Sequence, residues 1–285
     1  MTSPLRLLPE AVQHLRQLDA VSDPVAAKVE TLLPPGRLKD ALAGTWLGHP
    51  VHPMLTDVVV GAWTAAFVLD AAGGERTDRA ADTLVGLGVL SAVPTVLTGL
   101  ADWGDTWGST RRIGTVHAAG NLLATGVYGL SWLARRRGSR GLGFALGMMG
   151  AGIASGTAYL GGHLVYGQGV GVDAGVFEHG PMKWTAVADE SDLPASGALS
   201  VPAGDTEIAL FRRDGWICAI AERCSHRGAP LHEGTVEDGR VTCPWHGSQF
   251  DVCDGSILRG PATAPQQAYE TRVQGGKVEI RRAPD

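Results

Sequence analysis

Cysteine is scarce in this chain. There are four in 285 residues, and none precedes Cys218. Four cysteines in so long a chain do not describe a disulfide scaffold, and a metal site is the better reading. A basic excess is lacking too. Net charge is −5 and the Lys and Arg residues are scattered. The basic stripe of a nucleic-acid binder is therefore missing, and no nucleic-acid partner is expected. The N-terminus lacks a long apolar run. Met1–Asp40 carries charges throughout and is interrupted by Pro9, Pro24, Pro34 and Pro35. A cleavable signal peptide is not expected, so the first membrane segment would act as its own insertion signal. Short amphipathic pieces such as Ala11–Leu18 read as helices lying on a surface.

What is present divides sharply along the chain. Four apolar segments have the length of a bilayer span: Leu55–Ala72, Leu84–Leu100, Ile113–Ala134 and Leu142–Val165. The last three hold no charged residue, and the first holds only Asp57 and Asp70, near its ends. A buried soluble bundle is the alternative, but three uncharged spans in succession argue against it. Gly143/Gly147 and Gly152/Gly156 add the small-xxx-small spacing of helices packed closely in lipid. After a Gly-rich stretch, Gly167–Asp173, the pattern turns to β. Thr206–Phe211 and Trp216–Ile220 flank a turn at Asp214-Gly215. Further runs at Val241, Phe250–Val252, Tyr269–Val273 and Lys277–Arg281 are punctuated by Asp254-Gly255 and Gly275-Gly276. The expected fold is multi-domain: a four-helix transmembrane bundle, then a small all-β antiparallel barrel or sandwich. The predicted boundaries are 1–40 for an interfacial segment, 41–172 for the membrane domain, 173–181 for a linker and 182–285 for the β domain.

The strongest signal is a pair of loops in the β region. Cys224-Ser225-His226 is followed, after sixteen intervening residues, by Cys243-Pro244-Trp245-His246. C-x-H and C-x-x-H at the tips of two β loops suit a [2Fe–2S] cluster with two thiolates on one iron and two neutral imidazoles on the other. A zinc site uses the same ligand types, but Cys-x-His is a poor zinc knuckle. Residues 182–285 resemble a Rieske domain and are especially similar to the ferredoxins of aromatic-ring dioxygenase systems. The resemblance runs through Cys224-Ser-His-Arg-Gly-Ala-Pro-Leu, Cys243-Pro-Trp-His-Gly-Ser-Gln-Phe-Asp and Gly260-Pro261-Ala262. It implies that Cys224 and Cys243 hold the buried iron, His226 and His246 the outer one, and that the Gly260 loop covers the cluster. It also implies that Ser248 donates to a bridging sulfide.

Two departures from the respiratory type matter. The extra cysteine of each loop in that type is replaced by Ala229 and Trp245, and its sulfur-bonding Tyr by Phe250. Fewer hydrogen bonds to sulfur stabilise the reduced state less, so a potential in the lower part of the range of about −150 to +300 mV is expected. Cys218 and Cys253 are expected as core thiols. Rieske oxygenases also carry a mononuclear-iron domain. Only 39 residues follow His246, so an electron carrier is expected and not a hydroxylase.

Four histidines border the spans: His49, His52, His117 and His163. With four alternating spans they fall at one membrane face, near Asp57, Asp102 and Asn121, and the β domain emerges from that face. Intramembrane polar residues usually have a function. A b-type haem or a metal ion is therefore a candidate there, with His117 and His163 as the preferred axial pair. Interfacial histidines that cap helices and bond water are the alternative. Residues about 40–172 also resemble an uncharacterised four-helix membrane family through His49-Pro-Val-His-Pro and Gly161-Gly-His-Leu-Val-Tyr-Gly.

For orientation, Arg76, Arg79, Arg135, Arg136, Arg137 and Arg140 lie on one side. Arg37, Lys39, Arg111, Arg112 and Lys183 lie on the other. That count leans toward an outward β domain. The lack of a bracing disulfide and of a clear twin-arginine signal leans toward the cytoplasmic face, which is the side expected. The expected function is single-electron transfer between a donor and a membrane-associated acceptor, with a redox protein or quinone as partner. The alternatives are a reductase or oxygenase subunit with a second cofactor at the histidines, or a redox-sensing anchor.

Overall fold

The computed structural model describes residues 6–282. Residues 1–5 and 283–285, the outer ends of the predicted interfacial segment and β domain, lie outside the described residues. Seven α-helices come first among the described residues: α1 (Leu7–Gln13), α2 (Asp19–Leu32), α3 (Arg37–Ala43), α4 (Val51–Ala72), α5 (Glu75–Gly104), α6 (Gly108–Arg136) and α7 (Arg140–Tyr166). Ten strands follow. The contacts divide the chain into two units. Val51–Gln168 groups with the residues up to Leu32, and Leu33–Pro50 groups with the residues from Gly169 on.

In the first unit the four predicted spans are the cores of α4 to α7. Helix α4 starts earlier than predicted because Pro50 and Pro53 fall at its threshold, where a missing N–H costs nothing. Helix α5 gains a charged first turn, with Glu75 and Asp78 at the positive end of the helix dipole. Three helices, α4, α5 and α7, are long and apolar enough to cross a membrane. Helix α6 is as long, at 29 residues, but His117, Asn121 and its glycines make it less apolar. Small and polar residues pack inside, while Leu87, Leu90, Val93, Leu122, Leu123 and Leu130 are exposed. Large apolar side chains facing outward are what a lipid environment accepts and water penalises. The interior holds Val59, Trp63, Ala66, Ala81, Val85, Ala92 and Tyr128. Helix α1 is not merely a surface helix, since Val12 packs with Ile113 and Leu160.

In the second unit, six strands form an antiparallel sheet: β1 (Thr185–Asp189), β2 (Ala198–Ala203), β3 (Thr206–Arg213), β4 (Trp216–Ala221), β9 (Ala268–Gln274) and β10 (Lys277–Arg282), in the order β1-β10-β9-β4-β3-β2. A smaller sheet runs β5 (Thr235–Glu237), β6 (Arg240–Thr242), β7 (Gln249–Asp251) and β8 (Ile257–Arg259) in sequence order. The β3–β4 turn is the predicted Asp214-Gly215, both at positive φ (51° and 83°), the signature of a tight hairpin. Side chains alternate along a strand. Ala209 and Phe211 of β3 therefore join the core shared with Val241 and Phe250 of the smaller sheet, while Ile208 and Leu210 join a second core with Val278 and Ile280.

Cys218 and Cys253 are not separate core thiols. They form a disulfide, with Cα atoms 4.6 Å apart. Cys218 on β4 faces the inter-sheet core, and the turn after β7 brings Cys253 to it. That meeting depends on how the two sheets pack, which local sequence does not report.

Candidate metal centre

The two predicted ligand loops share one hydrogen-bond frame. In the first, the Cys224 N–H donates to Ala229 O (2.9 Å) and the Gly228 N–H to Cys224 O (2.7 Å). In the second, the Cys243 N–H donates to Ser248 O (2.8 Å) and the Gly247 N–H to Cys243 O (3.2 Å). Gly228 and Gly247 both have φ of 75°, a conformation that side chains with a Cβ rarely adopt. Each loop thus curls around its cysteine and points its sulfur inward. The loop after β8 closes the site. Ser225 Oγ donates to Ala264 O (2.7 Å), and the Ala262 N–H donates to Ser248 Oγ (3.0 Å). Since Ser248 Oγ is accepting there, its own O–H is available to another acceptor.

The four candidate ligands come together in two pairs. Cys224 and Cys243 are thiols outside any disulfide, 1% and 3% exposed, and hydrogen-bonded to each other. The N–H groups of His226 and Arg227 also point at the Cys224 sulfur. His226 and His246 lie further out, with ring centroids 5.0 Å apart and planes at 88°. The Cys243 sulfur and burial push the Cys224 thiol well up. Two such sulfurs ionise only beside a strong positive charge, which bound iron supplies. Burial and the neighbouring His246 hold His226 well below the usual imidazole range, so it is neutral with a lone pair to give. Two deep thiols beside two shallower neutral imidazoles match the donor set of a [2Fe–2S] cluster with mixed ligation. Phe250 is fully buried in the core that also holds both cysteines, and Ala229, in place of an extra cysteine, only accepts the Cys224 N–H.

Sequence reasoning missed the segment that lies over these loops. Thr45 Oγ1 donates to Ala262 O (3.1 Å). A Cβ placed on Gly260 would meet Thr45 Oγ1 at 2.1 Å and Asp40 Oδ1 at 3.0 Å, and one on Gly247 would meet Pro35 at 2.9 Å. Burial next to this loop pushes the Asp40 carboxyl up. More than 200 residues separate Thr45 from Ala262 in the chain (217), and no local pattern announces such a contact.

The membrane histidines divide between the two units, His49 in the second and the other three in the first. His49 is exposed and belongs to the second unit. His52 Nδ1 lies 2.9 Å from Thr95 O, and His117 Nδ1 lies 2.8 Å from Thr157 O. His163 sits in the last turn of α7, where its ring packs against Gly167.

Residues 183–270 match the Rieske [2Fe-2S] domain, and residues 48–174 match a predicted membrane protein family (DUF2231). The ferredoxin component of a naphthalene 1,2-dioxygenase system from Pseudomonas aeruginosa is 32% identical over 98 residues, which are 34% of this chain and 94% of the relative. The ferredoxin subunit of a 3-phenylpropionate/cinnamic acid dioxygenase from Shigella flexneri serotype 5b (strain 8401) is 40% identical over 91 residues, 32% of this chain and 85% of that one. Among solved structures, the ferredoxin of carbazole 1,9a-dioxygenase from Nocardioides aromaticivorans IC177 aligns at 25% identity with a TM-score of 0.34, covering 35% of this chain and 99% of its own. Through its C-terminal third, this chain belongs to the Rieske [2Fe–2S] domain family.

Proposed function

We propose that this protein is a membrane-held one-electron carrier, with Cys224, Cys243, His226 and His246 as its cluster ligands. The observation that carries this is the donor set: two buried thiols in mutual contact beside two imidazoles 5.0 Å apart. A [2Fe–2S] cluster so ligated takes up and releases one electron at a time. Cys224 and Cys243, in the inter-sheet core, would hold the more buried iron. The imidazoles, less buried, would form the edge of the site nearest a redox partner, and the Ser248 O–H would be free to donate to a cluster sulfur. The similar ferredoxins belong to dioxygenase systems, so a redox protein is the partner class that fits best, with a membrane quinone as the alternative.

All four long helices cross the bilayer in this reading, α6 with Leu122, Leu123 and Leu130 turned outward and His117 and Asn121 half-buried. The Cys218–Cys253 disulfide favours an oxidising compartment. It displaces the disulfide-based reason for the cytoplasmic side, so we place the cluster domain outside, in agreement with the Arg135–Arg140 charges. Protein in mild detergent is expected to give a low-average-g rhombic EPR signal on dithionite reduction. Anaerobically prepared protein holding zinc with no EPR signal would overturn the reading. Maleimide labelling of an introduced cysteine in intact cells would report the side.

A further inference from the structure

The α4–α5 and α6–α7 helix pairs repeat one pattern of spacings and contacts. Counting from His52 in α4 and His117 in α6, equivalent residues are Thr56 and Asn121, Trp63 and Tyr128, Asp70 and Arg135, at identical spacings. In α5 and α7 the matching set is Gly88 and Gly150, Thr95 and Thr157, Gly99 and Gly161. The contacts repeat as well. Each imidazole Nδ1 meets the carbonyl of the equivalent threonine, at 2.9 and 2.8 Å. Each ring is seated on the equivalent glycine, where a Cβ would fall 2.6 Å from His52 Cε1 on Gly99 and 2.8 Å from His117 Cε1 on Gly161. Trp63 and Tyr128 sit in the same way on Gly88 and Gly150.

Equivalent residues that touch must lie on the axis relating the copies. Trp63 stacks on Tyr128 with centroids 3.8 Å apart. Arg135 grips Asp70 with both terminal nitrogens, at 2.8 and 2.5 Å. His52 and His117 each precede the stacked pair by about three helical turns, so they project from the same faces. The repeat therefore places His52 and His117 at one end of the axis, on the sides of α4 and α6 that carry Trp63 and Tyr128.

A carbonyl only accepts, so Nδ1 carries the proton in both rings and the lone pair of each neutral imidazole lies on Nε2. A ring nitrogen held by a carbonyl while the other is presented outward is the usual posture of a metal-ligating histidine. Asn121 Nδ2 lies 3.2 Å from Nε2 and 3.3 Å from Nδ1 of His117. That position is over the ring and away from the in-plane lone pair.

We propose that His52 and His117 bind a first-row transition metal between them through their two Nε2 atoms, either as haem iron or as a bare ion. Imidazole suits both. The site is separate from the Rieske ligands and stands or falls without the electron-carrier reading.

The test uses the full chain in mild detergent, with His52→Asn and His117→Asn. Asparagine keeps a donor where Nδ1 sits, and so the bond to Thr95 or Thr157, but removes Nε2. The wild type is expected to carry about one equivalent of metal beyond the cluster iron, or to take up added haem or Ni2+ to that level. A Soret band identifies haem, and metal analysis without one identifies a bare ion. Each variant should lose at least tenfold in affinity while the EPR signal of the cluster is unchanged. Wild-type protein that neither contains nor takes up metal or haem at this site would overturn the proposal. So would variants that bind as the wild type does. A missing cluster signal would instead count against the electron-carrier reading.

Discussion

Replacing Cys253 by alanine should lower the melting temperature of the β domain by about 10–15 °C. The disulfide closes a loop of sequence separation 35 between β4 and the turn after β7. Releasing a loop of that size from the unfolded chain is worth about 4 kcal/mol by loop-closure entropy, and measured losses centre on about 2–4 kcal/mol. A domain of about 100 residues shifts by about 4 °C per kcal/mol. Cys253→Ala is the cleaner variant, because the remaining Cys218 thiol stays in the inter-sheet core as a small apolar group. The assay follows visible circular dichroism of the cluster during heating, in detergent and without reductant. A parallel thiol count, made in denaturant after acid removal of the cluster, should find only Cys224 and Cys243 in the wild type. Four free thiols in anaerobically handled wild type would refute the reasoning, as would a variant melting within about 3 °C of it.

The remaining predictions concern the bundle and the cluster loops. Gly88→Ala puts a Cβ 2.2–2.9 Å from the Trp63 indole, and overpacking of that kind costs about 1–3 kcal/mol. Thermal aggregation in detergent should come earlier and should be partly relieved by adding Trp63→Phe. Ser248→Ala removes the proposed donor to a bridging sulfide. A hydrogen bond to a charged group is worth about 1.5–3 kcal/mol, so the midpoint potential should fall by about 60–130 mV in a redox titration. An unchanged potential would remove Ser248 from the cluster's hydrogen bonds. His232 hydrogen-bonds the buried Glu222 at the base of the first cluster loop, and that bond raises its pKa. Glu222 is itself pushed up, because burial outweighs the attraction of His232. The stabilisation by His232 is full below its unfolded value of about 6.5. It is lost as pH rises through the higher folded value, leaving Glu222 beside a neutral ring. The melting temperature should therefore drop from pH 6 to pH 9, and His232→Gln should flatten that slope. A wild-type profile already flat over this window would contradict the assignment.

Much of the chemistry was legible in the residues themselves. A cluster with mixed thiolate and imidazole ligation needs Cys and His at a spacing that tight loops can present, so Cys224, His226, Cys243 and His246 stand out in the sequence, and the structure brings the two cysteines together and the two imidazoles within 5.0 Å. Local turn chemistry was equally visible at Asp214-Gly215 and Gly275-Gly276, where both residues of each turn adopt positive φ. Strands of three residues such as β5 and β8 were not. Too few residues alternate in them for a period to emerge.

The sequence alone determined where apolar runs lie and which tight loops present Cys and His together, because each depends on residues close together in the chain. Tertiary structure alone decided which distant residues meet. The disulfide between Cys218 and Cys253, the cover of Thr45 over Ala262, and the pairing of His52 and His117 each with a threonine carbonyl some forty residues away (43 and 40) are of this kind. Such contacts arise from the packing of whole helices and sheets, and packing depends on volumes and faces summed over many residues rather than on any short motif.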